Sequence, residues 1–196
     1  MNTITEILNW ISNSLLLPVI VLLLAAMAAA LVSLGGFSSS CLVLLRQRKE
    51  RERLLEAIRS GQEIEPGKLG TGIFARHLAE LVSLNWDELE CEKRITEYEM
   101  KYEHELERSR FMMKVAPMLG LMGTLIPMGP ALGGLASGDI GSMAYNMQIA
   151  FATTVVGCFA AGVGLLVYSV RRHWYAEEIS NLRYVLERQL KMRGEA

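Results

Sequence analysis

The chain has 196 residues, of which 51% are hydrophobic and 21% charged, with a formal net charge of −1. A nearly neutral chain without a basic stripe is not typical of nucleic-acid binding, so we expect no nucleic-acid partner. Charged and apolar residues are segregated: residues 7–45, 115–138 and 140–170 contain no Asp, Glu, Lys, Arg or His. Each run exceeds the roughly 20 residues with which a helix crosses a hydrocarbon core. The sequence therefore predicts an all-α membrane protein with three transmembrane helices in a lipid bilayer.

The first apolar run is too long for a signal peptide, which has a basic start and an apolar core of roughly 7–15 residues. Its first basic residue is Arg46, after the run has ended. We therefore expect a retained helix. A short external N-terminal segment at 1–14 precedes transmembrane helix 1 at 15–45.

The next segment, 46–110, is predicted to be a cytoplasmic helical region. Residues 60–72 contain four glycines and one proline, which indicates a turn or loop between helices. From Asp87 to Arg110 there is no Gly or Pro, and apolar residues recur at steps of three or four, as in a helix with one apolar seam. This first seam consists of Cys91, Ile95, Tyr98, Tyr102 and Leu106.

The rest of the chain is predicted as transmembrane helix 2 at 111–136, a short external turn at 137–142 and transmembrane helix 3 at 143–170. A cytoplasmic C-terminal helix follows at 171–196. No helix breaker separates the second and third transmembrane helices from their charged neighbours, so both are expected to extend as long helices into the cytoplasm. The tail carries a second seam, formed by Tyr175, Ile179, Leu182, Leu186 and Leu190. The two seams pack on each other within the chain, or on copies in neighbouring subunits.

The basic residues predict the orientation in the membrane. All Lys and Arg residues near the apolar runs fall on one side of the predicted bilayer, and the N-terminal segment and the 137–142 turn have none. By the positive-inside rule, that side is cytoplasmic. We expect the N-terminus outside and the C-terminus in the cytoplasm.

Small and polar residues form one stripe on each of the last two membrane helices. The first stripe consists of Pro117, Gly120, Thr124, Pro127, Ala131 and Gly134, and the second of Ala150, Thr154, Gly157, Ala161, Gly164 and Tyr168. Such stripes allow helices to pack closely. They also fit the wall of a shared lumen in which the threonines supply polar atoms, and the pattern does not separate these two interpretations.

None of the three apolar runs contains a carboxylate, Lys or His, and Asp139 falls in the external turn. Proton pathways usually place ionisable groups inside the membrane, so a proton-conducting complex would need a second chain to bring one. The three histidines and three cysteines are scattered, which predicts no metal site and no cofactor. No Ser/His/Asp set or phosphate-binding loop is present, and we expect no enzymatic activity.

Two motifs on the last two membrane helices resemble one family. Residues 116–124, APMLGLMGT, resemble the second-helix signature of the MotA/TolQ/ExbB proton channel family. Residues 150–157, AFATTVVG, followed by Ala160, Ala161 and Tyr168, resemble its third-helix signature. The segment IPMGP at 126–130, and Val163 where ExbB-like chains have a proline, indicate a divergent ExbB/TolQ-like branch.

The resemblance implies a homo-oligomeric ring, a pentamer, in the inner (cytoplasmic) membrane. Two copies of a single-span partner of the ExbD/TolR/MotB type, each with an intramembrane Asp, occupy the central pore of such rings. By position, Thr124 and Thr154 match the threonines of the ion pathway, with Thr153 as a neighbouring candidate. The implied function is the pore-forming subunit of a proton-driven motor or energiser; the alternative is an oligomeric scaffold without ion conduction. The sequence does not decide between H⁺ and Na⁺.

Overall fold

The computed structural model describes residues 2–60 and 72–194, with side chains for all of these except residues 2, 5, 9, 39 and 41–49. It contains four α-helices: α1 (Asn2–Arg59), α2 (Ile73–Ser83), α3 (Glu88–Ala136) and α4 (Ile140–Gly194). The predicted all-α fold is confirmed. The predicted loop at 60–72 lies between α1 and α2, and all but its two end residues fall outside the described part of the chain.

Three helices are long and apolar enough to cross a membrane, as predicted. They are Glu6–Ser38 within α1, the 49-residue α3 and the 55-residue α4. The expected absence of a break before the second apolar run is also confirmed, because α3 continues from the charged segment into that run. Residues predicted as a short N-terminal segment are helical from Asn2 onward.

The chain divides into two compact units. The first unit comprises Met1–Gly35 and Arg108–Tyr168. In it, Val19 and Leu23 of α1 pack with Ile126 of α3, and all three side chains are buried. Partly buried side chains complete this cluster: Leu16, Leu119 and Val156.

The second unit comprises Gly36–Glu107 and Ser169–Ala196. Its core joins the first seam on α3, the second seam on α4 and the apolar face of α2. The fully buried members include Leu78, Leu81, Cys91, Ile95, Leu182 and Leu186. The two seams therefore pack on each other within one chain, which was one of the two arrangements predicted.

A three-residue connection joins α3 to α4. Gly138 has a φ of +76°, the N–H of Asp139 donates to the Gly134 carbonyl at 2.8 Å, and the N–H of Gly138 donates to the Leu135 carbonyl at 3.2 Å. This is a Schellman end, in which the left-handed residue satisfies the last carbonyls of a helix. Asp139 Oδ1 accepts a hydrogen bond from the Ser142 N–H at 3.0 Å and so caps the N-terminus of α4. Because of this cap, α4 starts at Ile140, and the external turn predicted at 137–142 is three residues shorter than expected.

Candidate functional site

In the first unit, the two small-residue stripes face each other. A Cβ on Gly157 of α4 would lie 2.9 Å from the Gly120 Cα and 2.8 Å from the Ala116 carbonyl oxygen of α3. About two helical turns away, Gly164 lies against the backbone of Ser109 and Met113. Side chains larger than hydrogen would hold α3 and α4 apart at these points, so the glycines set their spacing.

Thr153 fits a notch in α3 formed by Gly123. Its side chain is buried, and a Cβ on Gly123 would lie 2.6 Å from the Thr153 Cβ. The Thr153 hydroxyl donates to the carbonyls of Ala150 (2.9 Å) and Ile149 (3.1 Å) in its own helix. Thr153 therefore belongs to the contact between α3 and α4, although the stripe analysis had not included it.

The two leading pathway candidates are less enclosed than Thr153. Thr124 and Thr154 are both half-buried. The Thr124 hydroxyl donates to the Leu121 carbonyl at 2.7 Å, and the Thr154 hydroxyl donates to the Ala150 carbonyl at 3.3 Å. A hydroxyl has one donor and two acceptor positions. Because the hydroxyl hydrogen is engaged inside the helix, each oxygen can still accept a hydrogen bond from a neighbouring donor.

The other residues predicted to line a pore or pack helices differ in exposure. Pro127, Ala131 and Ala150 are buried, Ala161 is half-buried and Pro117 is exposed. Tyr168 accepts a hydrogen bond from Arg110 Nη2 at 3.1 Å, and the guanidinium carbon lies 5.4 Å from the ring centroid. This cation–π contact links α3 to α4 at Arg110, which lies just before the apolar part of α3.

The second unit contains a buried polar cluster that the sequence analysis did not identify. His77 Nδ1 of α2 lies 2.7 Å from Glu178 Oε1 of α4, and both residues are less than a tenth exposed. The hydroxyl of Tyr102 of α3 donates to the same carboxylate oxygen at 2.9 Å. The Tyr98 ring stacks on His77 with a centroid distance of 4.0 Å, and the Tyr175 ring stacks on Tyr102 at 4.1 Å.

Each tyrosine of this cluster donates to a carboxylate: Tyr98 to Glu80, Tyr102 to Glu178, and Tyr175 to Glu105. Burial raises the pKa of the Tyr102 phenol, and the negative charge of Glu178 raises it further. Burial also raises the pKa of Tyr98 and Tyr175, and the hydrogen bonds to Glu80 and Glu105 add to the increase. The three phenols therefore stay protonated donors well into the alkaline range.

The periodicity of the sequence contains a pattern that indicates this buried cluster. His77 is in phase with the apolar positions Phe74, Leu78 and Leu81 of α2, and Glu178 is in phase with the second seam of α4. A charged residue at an inward position of an apolar seam indicates a buried pair, because an unpaired buried charge is costly. Counting histidines for metal-ligand spacing missed this pattern. Within the described ranges, no group of three or more His, Cys, Asp or Glu is placed to hold a metal ion.

The fold and the contact between α3 and α4 define an α-helical protein with three helices suited to crossing a membrane. The profile of the MotA/TolQ/ExbB proton channel family matches residues 67–183, which is more than half of the chain. The chain belongs to this family, as the two motifs predicted. Curated proteins and solved structures gave no significant match. The family match covers α2, α3 and most of α4, and so includes both stripes and the buried cluster.

Proposed function

We propose that this chain is the pore-forming subunit of a proton-driven membrane motor or energiser, a channel subunit and not an enzyme. The observation that carries the proposal is the family match across α3 and α4. It is supported by two half-buried hydroxyls, Thr124 and Thr154, in apolar segments without an Asp, Glu, Lys, Arg or His. The family generally works with single-span partners of the ExbD, TolR or MotB type. In this proposal, the partner's membrane Asp is the group that gains and loses the proton.

The threonine hydroxyls act in this proposal as acceptors. Each donates its own hydrogen to a carbonyl of its helix, so the oxygen presents lone pairs to its surroundings. A protonated carboxylic acid or a water molecule can donate to such an oxygen, whereas a carboxylate cannot. The hydroxyls would therefore stabilise the protonated partner as it passes, and would lower the cost of a polar group in an apolar wall.

The assembly we propose is a homo-oligomeric ring, a pentamer by analogy with the family. The ring lies in the inner membrane, with the N-terminus outside. Basic residues at 46–53, 108–114 and 171–172 support this orientation, because positively charged segments stay on the cytoplasmic side. The charged parts of α3 and α4 then extend into the cytoplasm as long helices.

Proton flux into vesicles tests the pathway residues. The chain is co-purified with a single-span protein of the ExbD/TolR/MotB type that carries a membrane Asp, and flux is followed with an enclosed pH-sensitive dye. Thr154→Val and Thr124→Val keep the side-chain shape but remove the hydroxyl, and each should lower flux at least about tenfold. Thr96→Val is the matched control, because Thr96 makes the same kind of hydrogen bond, to the Glu92 carbonyl at 2.9 Å, in the exposed charged part of α3. Normal flux through Thr154→Val would remove that residue from the pathway.

A structural scaffold is the second candidate function, and a specific contact favours it. Gly120 and Gly157 pack on each other within one chain, so helix packing alone accounts for part of both stripes. Two measurements together distinguish the motor subunit from the scaffold: the native mass of the detergent-solubilised complex and the proton flux. A ring that conducts protons supports the motor subunit, whereas a stable oligomer without flux beside its partner supports the scaffold.

A further inference from the structure

Gln148 is a polar side chain on the apolar part of α4. It lies within residues 140–170, which contain no Asp, Glu, Lys, Arg or His, on a helix suited to crossing a membrane. Its side chain is exposed, and within the described part of the chain its amide has no hydrogen-bond partner. An amide carries two donor hydrogens and an acceptor oxygen, and lipid tails satisfy neither. Because an unpaired amide in hydrocarbon is costly, a polar group of another helix is expected to meet it.

Gln148 lies on the side of α4 that faces away from α3 of its own chain. Gly157 marks the contact between the two helices, because a Cβ there would lie 2.9 Å from the Gly120 Cα. Gln148 precedes Gly157 by nine residues, which is about two and a half helical turns and places the two residues on opposite sides of α4. The partner of this amide therefore belongs to another molecule.

An open glycine occupies the corresponding place on α3. Gly129 follows Gly120 by the same nine residues, so it lies on the side of α3 that faces away from α4. No atom of the described residues lies within 4 Å of its Cβ position, and the same holds for Gly133, about one turn further on. Two glycines at this spacing leave main-chain carbonyls uncovered and let a second helix approach closely. A carbonyl oxygen has two lone pairs, so one that bonds within its helix can still accept from an amide.

Gln148 and Gly129 lie at the same depth in the membrane. A three-residue connection joins α3 to α4, and the two helices run antiparallel. From the contact between Gly120 and Gly157, nine residues toward this connection correspond to about 13.5 Å on either helix. Copies that share one orientation and are related by rotation about the membrane normal keep equal depths. The α4 helix of one copy therefore carries Gln148 at the level of Gly129 on α3 of the next copy.

We propose that Gln148 of one copy packs on Gly129 of the next copy, where its amide donates to a main-chain carbonyl that the glycine leaves uncovered. The inference rests on the homo-oligomeric assembly proposed above, but it does not rest on ion conduction. It assigns the outer face of α4 to the outer face of α3 in the neighbouring copy. Such a contact joins two different surfaces and so can repeat around a closed ring.

Apolar side chains extend the same two faces. Seven and eleven residues are close to whole numbers of helical turns, so residues at these steps share a face. At these steps from Gly129 and from Gln148, exposed apolar residues lie at matching depths: Met122 with Val155, and Met118 with Phe159. Thr124 and Thr154 are five and six residues from the two central positions and lie off these faces. The contact between copies is therefore separate from the candidate ion pathway.

Cysteine cross-linking tests which faces meet. The full-length chain carries Gly129→Cys and Gln148→Cys together with Cys41→Ser and Cys158→Ser, whereas Cys91 is kept because it is fully buried. Oxidation with copper phenanthroline in native membranes should join copies into dimers and larger products, because each copy offers a different cysteine to each neighbour. A disulfide forms only where the two Cα atoms come within about 7 Å of each other.

Leu166 provides the matched control for cross-linking. It is exposed on the same face of α4 as Gln148 but lies about five helical turns away. Leu166→Cys in place of Gln148→Cys, again combined with Gly129→Cys, should therefore give no product. Cross-linking of Gln148→Cys without a cysteine at position 129 would mean that α4 meets α4, and would overturn the proposal.

Replacement of the amide tests the hydrogen bond itself. Gln148→Met keeps the length of the side chain and removes its donors, and it should weaken association between copies about tenfold. Energy transfer between donor-labelled and acceptor-labelled copies, titrated with detergent, measures this change. Asn146→Leu is the matched control, because the Asn146 amide already donates to the Ser142 carbonyl of its own helix at 2.9 Å. That variant should associate like the parent protein.

The proposal is overturned if the native complex is an oligomer but the paired cysteines do not cross-link, or if Gln148→Met associates as tightly as the parent. A parent protein that is monomeric by native mass overturns the homo-oligomeric assembly together with this contact. Cross-linking in a complex that conducts no protons supports the contact and counts against the channel function alone. Failure of the contact and failure of the channel function are therefore separate results.

Discussion

Gly157 of α4 lies against Gly120 of α3 so closely that a Cβ on Gly157 would come within 2.9 Å of the Gly120 Cα. The neighbouring atoms are backbone, which cannot turn aside as a flexible side chain can. The two helices are therefore in contact through their main chains at this point. Close main-chain contact of this kind favours van der Waals packing and needs the smallest residue at position 157.

Gly157→Ala should destabilise the protein by about 1–3 kcal/mol, the usual cost of forcing an extra carbon into a packed core. Gly162→Ala is the matched control on the same helix, because no atom lies within 4 Å of its Cβ position. That control should be neutral or slightly stabilising, since alanine favours helices over glycine. Thermal unfolding in detergent, followed by circular dichroism, measures both. Equal melting temperatures for the two variants would show that the contact is not tight.

The sequence allowed much of this architecture to be predicted, because membrane helices and apolar seams follow simple periodic rules. Cys91 and Ile95 of the first seam and Leu182 of the second are fully inaccessible, and Leu186 is nearly so. The two small-residue stripes were also described from the sequence, and Gly120 and Gly157 of these stripes lie against each other. Periodicity identifies an inward face without identifying the element against which it packs.

The parts that could not be predicted depend on contacts between distant residues. His77 and Glu178 are 101 positions apart, and their pairing depends on how α2 docks between the long helices. Thr153 was only a neighbouring candidate for the ion pathway because it lies beside the stripe. The notch at Gly123 nevertheless places it in the contact between α3 and α4. The start of α4 was misplaced by three residues because the Asp139 cap depends on local hydrogen bonding.

Gly138→Ala should lower stability by about 1 kcal/mol, because the residue adopts a φ of +76° that disfavours a Cβ. Gly141→Ala, three residues on, is the matched control: it lies in the first turn of α4, and the nearest atom to its Cβ position is 3.5 Å away. Melting temperatures in detergent compare the two variants. A Gly138→Ala protein as stable as the control would indicate that the Schellman end contributes little.

Arg188→Ala should destabilise the second unit, because this guanidinium caps the C-terminal end of α1. Arg188 Nε donates to the Ile58 carbonyl at 3.0 Å and Nη2 donates to the Arg59 carbonyl at 2.6 Å. Positive groups at helix C-termini satisfy orphan carbonyls and favour the helix dipole, here by about 1–2 kcal/mol. Arg183→Ala is the control: Arg183 forms a half-exposed ion pair with Glu99 at 2.7 Å, of a kind worth about 0–1 kcal/mol. Urea unfolding of both variants measures the difference, and a larger loss for Arg183→Ala would contradict the capping role.

Alkaline solution should destabilise the second unit through its buried tyrosines. Folding raises the pKa of Tyr98, Tyr102 and Tyr175, so the native state holds these protons more tightly than the unfolded chain does. The stability they contribute is fully present below the unfolded value of about 10 and is lost as the pH rises above it towards the native values. Urea unfolding at a series of pH values above about 10, together with phenolate absorbance, follows this loss.

Replacement of a buried phenol should reduce that sensitivity. Tyr102→Phe removes one proton-binding group, so its free energy of unfolding should fall less steeply with pH, although it starts lower because Glu178 has lost a donor. Tyr145→Phe removes a phenol that is 66% exposed, and its pH profile should follow the parent protein. If Tyr102→Phe and Tyr145→Phe change the slope equally, the buried tyrosines do not control alkaline unfolding. A steeper slope in Tyr102→Phe would mean that another group releases its proton in that range.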